Sequence, residues 1–178
     1  MKPILQTTTA AEDHILRQTS LPVPEELFGT LELSTMLRDM EASLDAMPNG
    51  VALAAPQIGL LYRIFIVRYD RMASPPQEGA PELPVQVGVF INPSIVRTSK
   101  RRVLMDEGCL SVTELFGTTK RFERSTVQAK DECGVSFTRG GGGILSQAFQ
   151  HEIDHLEGML FIDHATDTYT PGSKPSHD

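Results

Sequence analysis

Apolar positions change their period as the chain proceeds. Between residues 25 and 46, Leu27, Leu31, Leu37, Met40 and Leu44 recur at steps of four, six, three and four. That spacing lays an apolar stripe along one side of a helix. Pro48, Asn49 and Gly50 end it. A shorter helical turn fits residues 13–19, ahead of Pro22 and Pro24. The run Arg63-Ile64-Phe65-Ile66-Val67 is β-branched and aromatic and predicts a strand. Residues 85–96, interrupted by Asn92-Pro93, and the runs 103–105, 126–129 and 135–138 predict more strands, with Asp131-Glu132-Cys133-Gly134 as the turn between the last two. Residues 70–84 carry Pro75, Pro76, Pro81 and Pro84 and read as an exposed loop. Four glycines over 140–143 read as a flexible lead into a second helix over 144–156, which ends near Gly158. Residues 159–162 predict a last short strand, and 166–178 a polar, frayed tail. Strands cluster instead of alternating with helices, so the expected class is α+β with antiparallel pairing. The expected organisation is one domain over 1–165 followed by the tail.

Composition narrows the function classes. A formal net charge of −7 argues against nonspecific binding to nucleic acid or to an anionic membrane. No apolar run reaches the length that spans a bilayer. The first 20 residues are polar and mixed in charge, without a secretory core or an Arg-rich transit pattern, so a cytoplasmic setting is the expectation. Two cysteines, Cys109 and Cys133, are too few for a disulfide framework.

Candidate chemistry centres on His151-Glu152-Ile153-Asp154-His155. On a helix, histidines four apart share a face and can bind one metal ion. Glu152 lies about 100° round the helix, placed to reach a water rather than the same coordination plane. The pattern is His-Glu-x-x-His with glutamate as general base. Short motifs also arise by chance, and a His-Glu pair can be plain solvated surface. Ile144, Leu145, Ala148 and Phe149 precede the motif as an apolar stripe and point the histidine face inward, where imidazoles need partners. A catalytic site also needs a third protein ligand. Cys109, in Asp106-Glu107-Gly108-Cys109-Leu110-Ser111-Val112, is the candidate thiolate; the alternative is a small buried apolar residue. Cys133 falls in an exposed turn, and His14, His164 and His177 read as surface residues.

Three segments together resemble the peptide deformylase family: Gly50-Val51-Ala52-Leu53-Ala54-Ala55-Pro56-Gln57-Ile58-Gly59, Glu107-Gly108-Cys109-Leu110-Ser111, and Gln150-His151-Glu152-Ile153-Asp154-His155-Leu156-Glu157-Gly158. They stand in the family's order at similar separations, and the resemblance covers roughly residues 3–165. It implies antiparallel strands packed around the C-terminal helix that carries the His-Glu-x-x-His motif, with the amphipathic helix N-terminal to them. The implied reaction removes the N-formyl group from the methionine that begins a new polypeptide, releasing formate. The implied cofactor is one divalent metal ion, Fe(2+) in the cell, with Zn(2+), Ni(2+) or Co(2+) as substitutes. Carried over, Cys109, His151 and His155 are the ligands and Glu152 is the general acid/base. The Gln57 amide and the Leu110 backbone N–H are the oxyanion donors, and Gly50, Val51, Ala52 and Gly108 contact substrate. Arg121 matches a family arginine less closely.

The chain departs from the family's pattern at Ala52, where glycine is usual, and at Thr113, where proline is common. Ala52 is expected to narrow the substrate groove or to fix a less permissive backbone angle, altering substrate preference or turnover. Two other readings remain. A small zinc peptidase would draw its third ligand from Glu157 or His164. A binding module that keeps the fold without activity usually loses a ligand or the acid, and here none is lost. The substrate's origin suggests transient ribosome contact, for which Lys100-Arg101-Arg102, with Arg97 nearby, is the compact basic element. No membrane contact and no specific nucleic-acid recognition are expected.

Overall fold

The computed structural model describes residues 1–72 and 84–173. Among the described residues it is an α+β fold of three α-helices and two antiparallel sheets. Strands β1 (Ala52–Ala54), β2 (Ile64–Arg68), β3 (Val87–Thr98), β6 (Arg124–Lys130) and β7 (Ser136–Gly142) form one sheet in the order β1-β2-β3-β6-β7. Strands β4 (Arg102–Cys109), β5 (Val112–Phe122) and β8 (Asp167–Tyr169) form the other in that order. No helix among the described residues is long and apolar enough to cross a membrane.

The first long helix is shorter than its sequence pattern suggests. Glu25–Leu27 is a separate 3-10 turn, and α2 is Leu31–Asp45. Gly29 has φ +73°, a left-handed angle that stops helix propagation, and the Thr30 hydroxyl then accepts from Leu33 N–H to start a new one. Leu33, Leu37, Met40 and Leu44 are its buried stripe, while Leu31 is 76% exposed. Leu31 lies two residues before Leu33, about 200° away round the helix. The early turn is α1 (Ala10–Leu16), capped by Thr9.

Helix α3 (Ile144–Leu156) packs against strands of both sheets. Its fully buried Phe149 meets Phe90 at 5.2 Å between ring centroids, and Phe90 stacks on Phe65 at 4.6 Å. Each such ring contributes about 2–3 kcal/mol of burial. The glycines ahead of α3 are not a flexible lead: Gly140, Gly141 and Gly142 pair with Thr126, Ser125 and Arg124. A Cβ on Gly141 would stand 2.6 Å from Leu145 Cγ, so glycine lets the strand run tight against the helix start.

Other differences follow from pairing that single-strand patterns do not encode. Asn92-Pro93 does not break β3. It sits at a register shift where Asn92 adopts φ +50° and its side chain bonds Val23 N–H and C=O. Residues 112–122, without an alternating pattern, form β5 against β4. Residues 159–162 are not a strand; the chain there makes a 3-10 turn, Phe161–Asp163. Asp167–Tyr169, read as tail, pairs with Phe116–Thr118 as β8. The loop expected over 70–84 falls largely outside the described residues; Tyr69–Met72 at its start is a 3-10 turn.

Candidate metal centre and active site

Three elements bring the chemistry together. Helix α3 carries His151, Glu152 and His155; β4 ends at Cys109; the 3-10 turn Ala55–Ile58 after β1 carries Gln57. The donor atoms of Cys109, His151 and His155 lie within 4.8 Å of one another. Cys109 Sγ is 3.2 Å from His155 Nε2. The imidazoles meet edge-on, 4.8 Å between centroids. Nitrogen and sulfur ligands at about 2.0–2.3 Å from a tetrahedral metal stand roughly 3.5 Å apart, so the cluster fits one ion. Neither Glu157 nor His164 joins it. Glu157, at the C-terminal end of α3, bonds Arg63 at 2.6 Å, and His164 faces Asp154 at 3.2 Å. Cys133 lies exposed in its turn, with Asp131 Oδ1 accepting from Cys133 and Val135 N–H.

Behind the ligands lies a buried ionic network whose roles sequence reasoning did not assign. Glu107 Oε1 contacts His151 Nδ1 at 2.5 Å, which leaves His151 Nε2 as the metal-side nitrogen. Arg121 donates to both Glu107 oxygens, at 2.6 and 2.9 Å, and to Asp154 Oδ2 at 2.6 Å. The Thr119 hydroxyl donates to Glu107 Oε2 at 2.5 Å. The signal available in the sequence was chemical: a buried ligating histidine needs an acceptor on its other nitrogen, and Glu107 is two residues from Cys109 on the same strand.

Burial and charge set the protonation states. Burial alone would raise the Glu107 carboxyl, but His151 and Arg121 outweigh it and hold it well below the usual carboxylate range. Burial would likewise discharge His151, yet Cys109 and Glu107 reverse this and raise it well above the ordinary imidazole value. A place that draws a proton onto His151 between a thiol and carboxylates also favours a divalent cation. His155 is lowered well below its ordinary value by burial and by its neighbour His151. Glu152, 3% exposed, is pushed up to about 7, chiefly by burial. Glu152 Oε2 and His155 Nδ1 are buried and accept or donate no hydrogen bond among the described residues.

Gln57 has a fixed orientation. Ala54 N–H can only donate, so the atom 2.8 Å from it is Oε1. Nε2 therefore points at Ser111 Oγ, 3.1 Å away, and towards Cys109 Sγ at 3.5 Å. Leu110 lies in the turn between β4 and β5, and Ser111 N–H points at Cys109 Sγ, 3.4 Å away.

Gly50, Val51, Ala52, Gln57, Gly108, Cys109, Leu110, His151 and Glu152 all border one cavity of about 340 Å³, whereas His155, 1% exposed, is not among its lining residues. Ala52 is 7% exposed, at the edge strand β1 facing Val67, and its methyl packs with the cluster that holds Ala148. Among the described residues Asn92 and Glu114 are the non-glycine residues with positive φ, so Ala52 sits at a backbone angle that its methyl allows. Glu114, at φ +60°, belongs to a bulge in which Gly108 faces Phe116 while Cys109 faces Val112. The bulge turns Thr113, Glu114 and Leu115 to the cavity.

The chain is similar to known proteins in sequence and in fold. The family model described as polypeptide deformylase matches residues 2–170. The peptide deformylase of Salinibacter ruber is 38% identical over 151 residues, spanning 84% of this chain and 74% of that protein. Peptide deformylase 2 of Clostridium acetobutylicum is 34% identical over 163 residues, 92% of this chain and 97% of its own length. Among solved structures, the Met-Ala-Ser-bound class I type b peptide deformylase of Acinetobacter baumannii superposes with a TM-score of 0.78 at 30% identity, covering 92% of this chain and 99% of that one.

Proposed function

Because the chain belongs to the peptide deformylase family, we propose that Cys109, His151 and His155 hold its single metal ion and that Glu152 is its general acid/base. The enzyme is a hydrolase that removes the N-formyl group from the methionine of newly made polypeptides. The observation that carries the residue assignment is the Cys-His-His donor cluster beside a buried carboxylate with an unpartnered oxygen.

When bound, the ion supplies Lewis acidity and lowers the pKa of a coordinated water towards neutrality. The chain's own residues do the rest. Glu152 takes a proton from water as its oxygen adds to the formyl carbon. Gln57 Nε2, fixed by Ala54, and the Leu110 N–H donate to the formyl oxygen as negative charge collects there. The C–N bond then breaks, and Glu152 returns the proton to the leaving amine, giving formate and a free N-terminus. Gly50, Val51, Ala52 and Gly108 border the peptide's path. A carboxyl that titrates near 7 suits a group that must both accept and return a proton at neutral pH.

A Cys-His-His set suits iron or zinc by ligand softness. Fe(2+) is the metal we assign in the cell, with Zn(2+), Ni(2+) or Co(2+) able to occupy the same donors. Residues 1–165, with β8 (Asp167–Tyr169) paired onto them, are taken as one catalytic domain working in the cytoplasm, in transient contact with the ribosome that supplies its substrate. The test pairs metal content of anaerobically purified protein with formate release from formyl-Met-Ala. One ion per chain and formate release are expected. Cys109→Ser protein that retains its ion would transfer the third ligand elsewhere and overturn the assignment.

A further inference from the structure

Positive charge is unevenly placed on this acidic chain. Of its 16 Lys and Arg residues, Arg97, Lys100, Arg101, Arg102, Lys120 and Arg124 are exposed and fall within one stretch of 28 residues. The fold gathers them at the corner where the two sheets join. Ser99 N–H bonds Arg124 C=O at 2.9 Å, and Glu123 N–H bonds Arg101 C=O at 3.1 Å, so the β3–β4 link lies against the β5–β6 link. Pairing of Arg97 with Thr126 puts Arg97 and Arg124 on one exposed face, opposite buried Ser125 and Val127.

Elsewhere cations are mostly neutralised. Arg17, Arg63, Arg68, Arg71, Arg121 and Lys130 each meet a carboxylate. At the corner, Arg101 alone does so, with Glu123 at 3.1 Å; Arg97, Lys100, Lys120 and Arg124 make no ion pair among the described residues. Apolar groups are interleaved. Arg102 lies 4.1 Å over the Phe122 ring, and Leu104 is 65% exposed beside Lys120.

The same face of the second sheet leads to the active site. Register pairs Arg102 with Phe122, Leu104 with Lys120 and Gly108 with Phe116, and Asp106 and Phe116 border the catalytic cavity. Arg102 and Asp106 are four residues apart along the strand, about 13 Å.

We propose that this corner is a docking surface for the phosphate backbone of RNA, which holds the cavity mouth close to the particle that makes the substrate. This deepens the ribosome contact proposed above and rests on it. Unpaired guanidinium and ammonium groups supply the phosphate contacts, and the exposed Arg102 guanidinium, held over the Phe122 ring beside exposed Leu104, gives a base a planar platform on which to stack. Acidic protein would use the cations but not the platform.

The test measures binding of a fluorescent 20-nucleotide oligouridine by anisotropy at 50 and 200 mM salt. Four phosphate contacts predict an affinity loss of about 50-fold between those concentrations; removing three with Arg97→Gln, Lys100→Gln and Arg124→Gln leaves about a 3-fold salt effect. A Lys2→Gln, Arg38→Gln control, remote from the corner, keeps the wild-type salt response. Polyglutamate serves as competitor and formate release from formyl-Met-Ala as control, with the triple variant expected at the wild-type rate. The proposal is overturned by no oligouridine binding at 50 mM salt, by equal binding in the triple variant, or by equal competition from polyglutamate, which would assign the surface to an acidic protein. Absent formate release in the wild type would instead sink the catalytic reading and leave the RNA result standing.

Discussion

Replacing Glu107 with glutamine perturbs the metal centre without touching a ligand. Glu107 is 4% exposed and serves three partners: His151 Nδ1, the Arg121 guanidinium and the Thr119 hydroxyl. Glutamine keeps the shape but removes the charge and turns one acceptor into a donor. Arg121, 6% exposed, then has only Asp154 as a charged partner, and in either orientation of the amide Arg121 faces an N–H that cannot accept, together with His151 or Thr119. Breaking a buried pair from one side costs about 3–5 kcal/mol; retained Asp154 and the isosteric amide reduce that here to about 2–4 kcal/mol. The ligating imidazole also loses the acceptor that orients it, a change that typically lowers metal affinity about 10–100-fold. Urea unfolding of metal-free protein measures the first effect, and competition with a chelator of known affinity measures the second. A variant within 1 kcal/mol of wild type, with unchanged metal affinity, would refute the view that Glu107 organises the centre.

Gln57→Ala removes one side-chain oxyanion donor and should lower kcat by about 100–1,000-fold with metal content unchanged, read by formate release and metal analysis. Phe149→Ala, which opens the stacked core beneath α3, should cost about 3–5 kcal/mol in urea unfolding. Hydrogen bonds from Arg68 hold the Asp70 carboxyl well below its ordinary value, against burial. The Asp70 contribution is therefore fully present above the unfolded carboxyl pKa of about 4 and is lost as pH falls through the lower folded value. Asp70→Asn should be destabilised at pH 7 and converge on wild type in strong acid; a pH-independent gap would contradict this. Ala52→Gly should enlarge the cavity beside β1 and raise kcat/KM for bulkier peptides relative to formyl-Met-Ala; an unchanged ratio would place Ala52 outside specificity.

The α+β class was legible because Ile64, Phe65, Ile66 and Val67 are locally strand-like and Leu37, Met40 and Leu44 helix-like, and such residues keep their state in the fold. Strands β5 and β8 were not. Thr113, Glu114, Thr118 and Thr119 alternate with nothing, because their faces are set by a bulge and by pairing with distant chain. Gly140 to Gly142 looked flexible because composition cannot reveal a helix lying against a strand. Spacing brought His151, Glu152 and His155 to notice, but it could not supply Cys109, which is 42 positions before His151 and reaches it only through the β4–β5 hairpin packed on α3. Arg121 and Asp154 were least visible. Each looks like ordinary surface charge until the fold joins Arg121 to Glu107 and Asp154 to Arg121.

The most direct test of the proposed centre compares wild type with Glu152→Ala, measuring bound metal and formate release from formyl-Met-Ala on the same anaerobic samples. Glu152 is not among the three donors, so both proteins should bind one ion per chain. Loss of the acid/base should slow formate release about 100–10,000-fold. A metal-loaded Glu152→Ala protein that releases formate at the wild-type rate would contradict the mechanism.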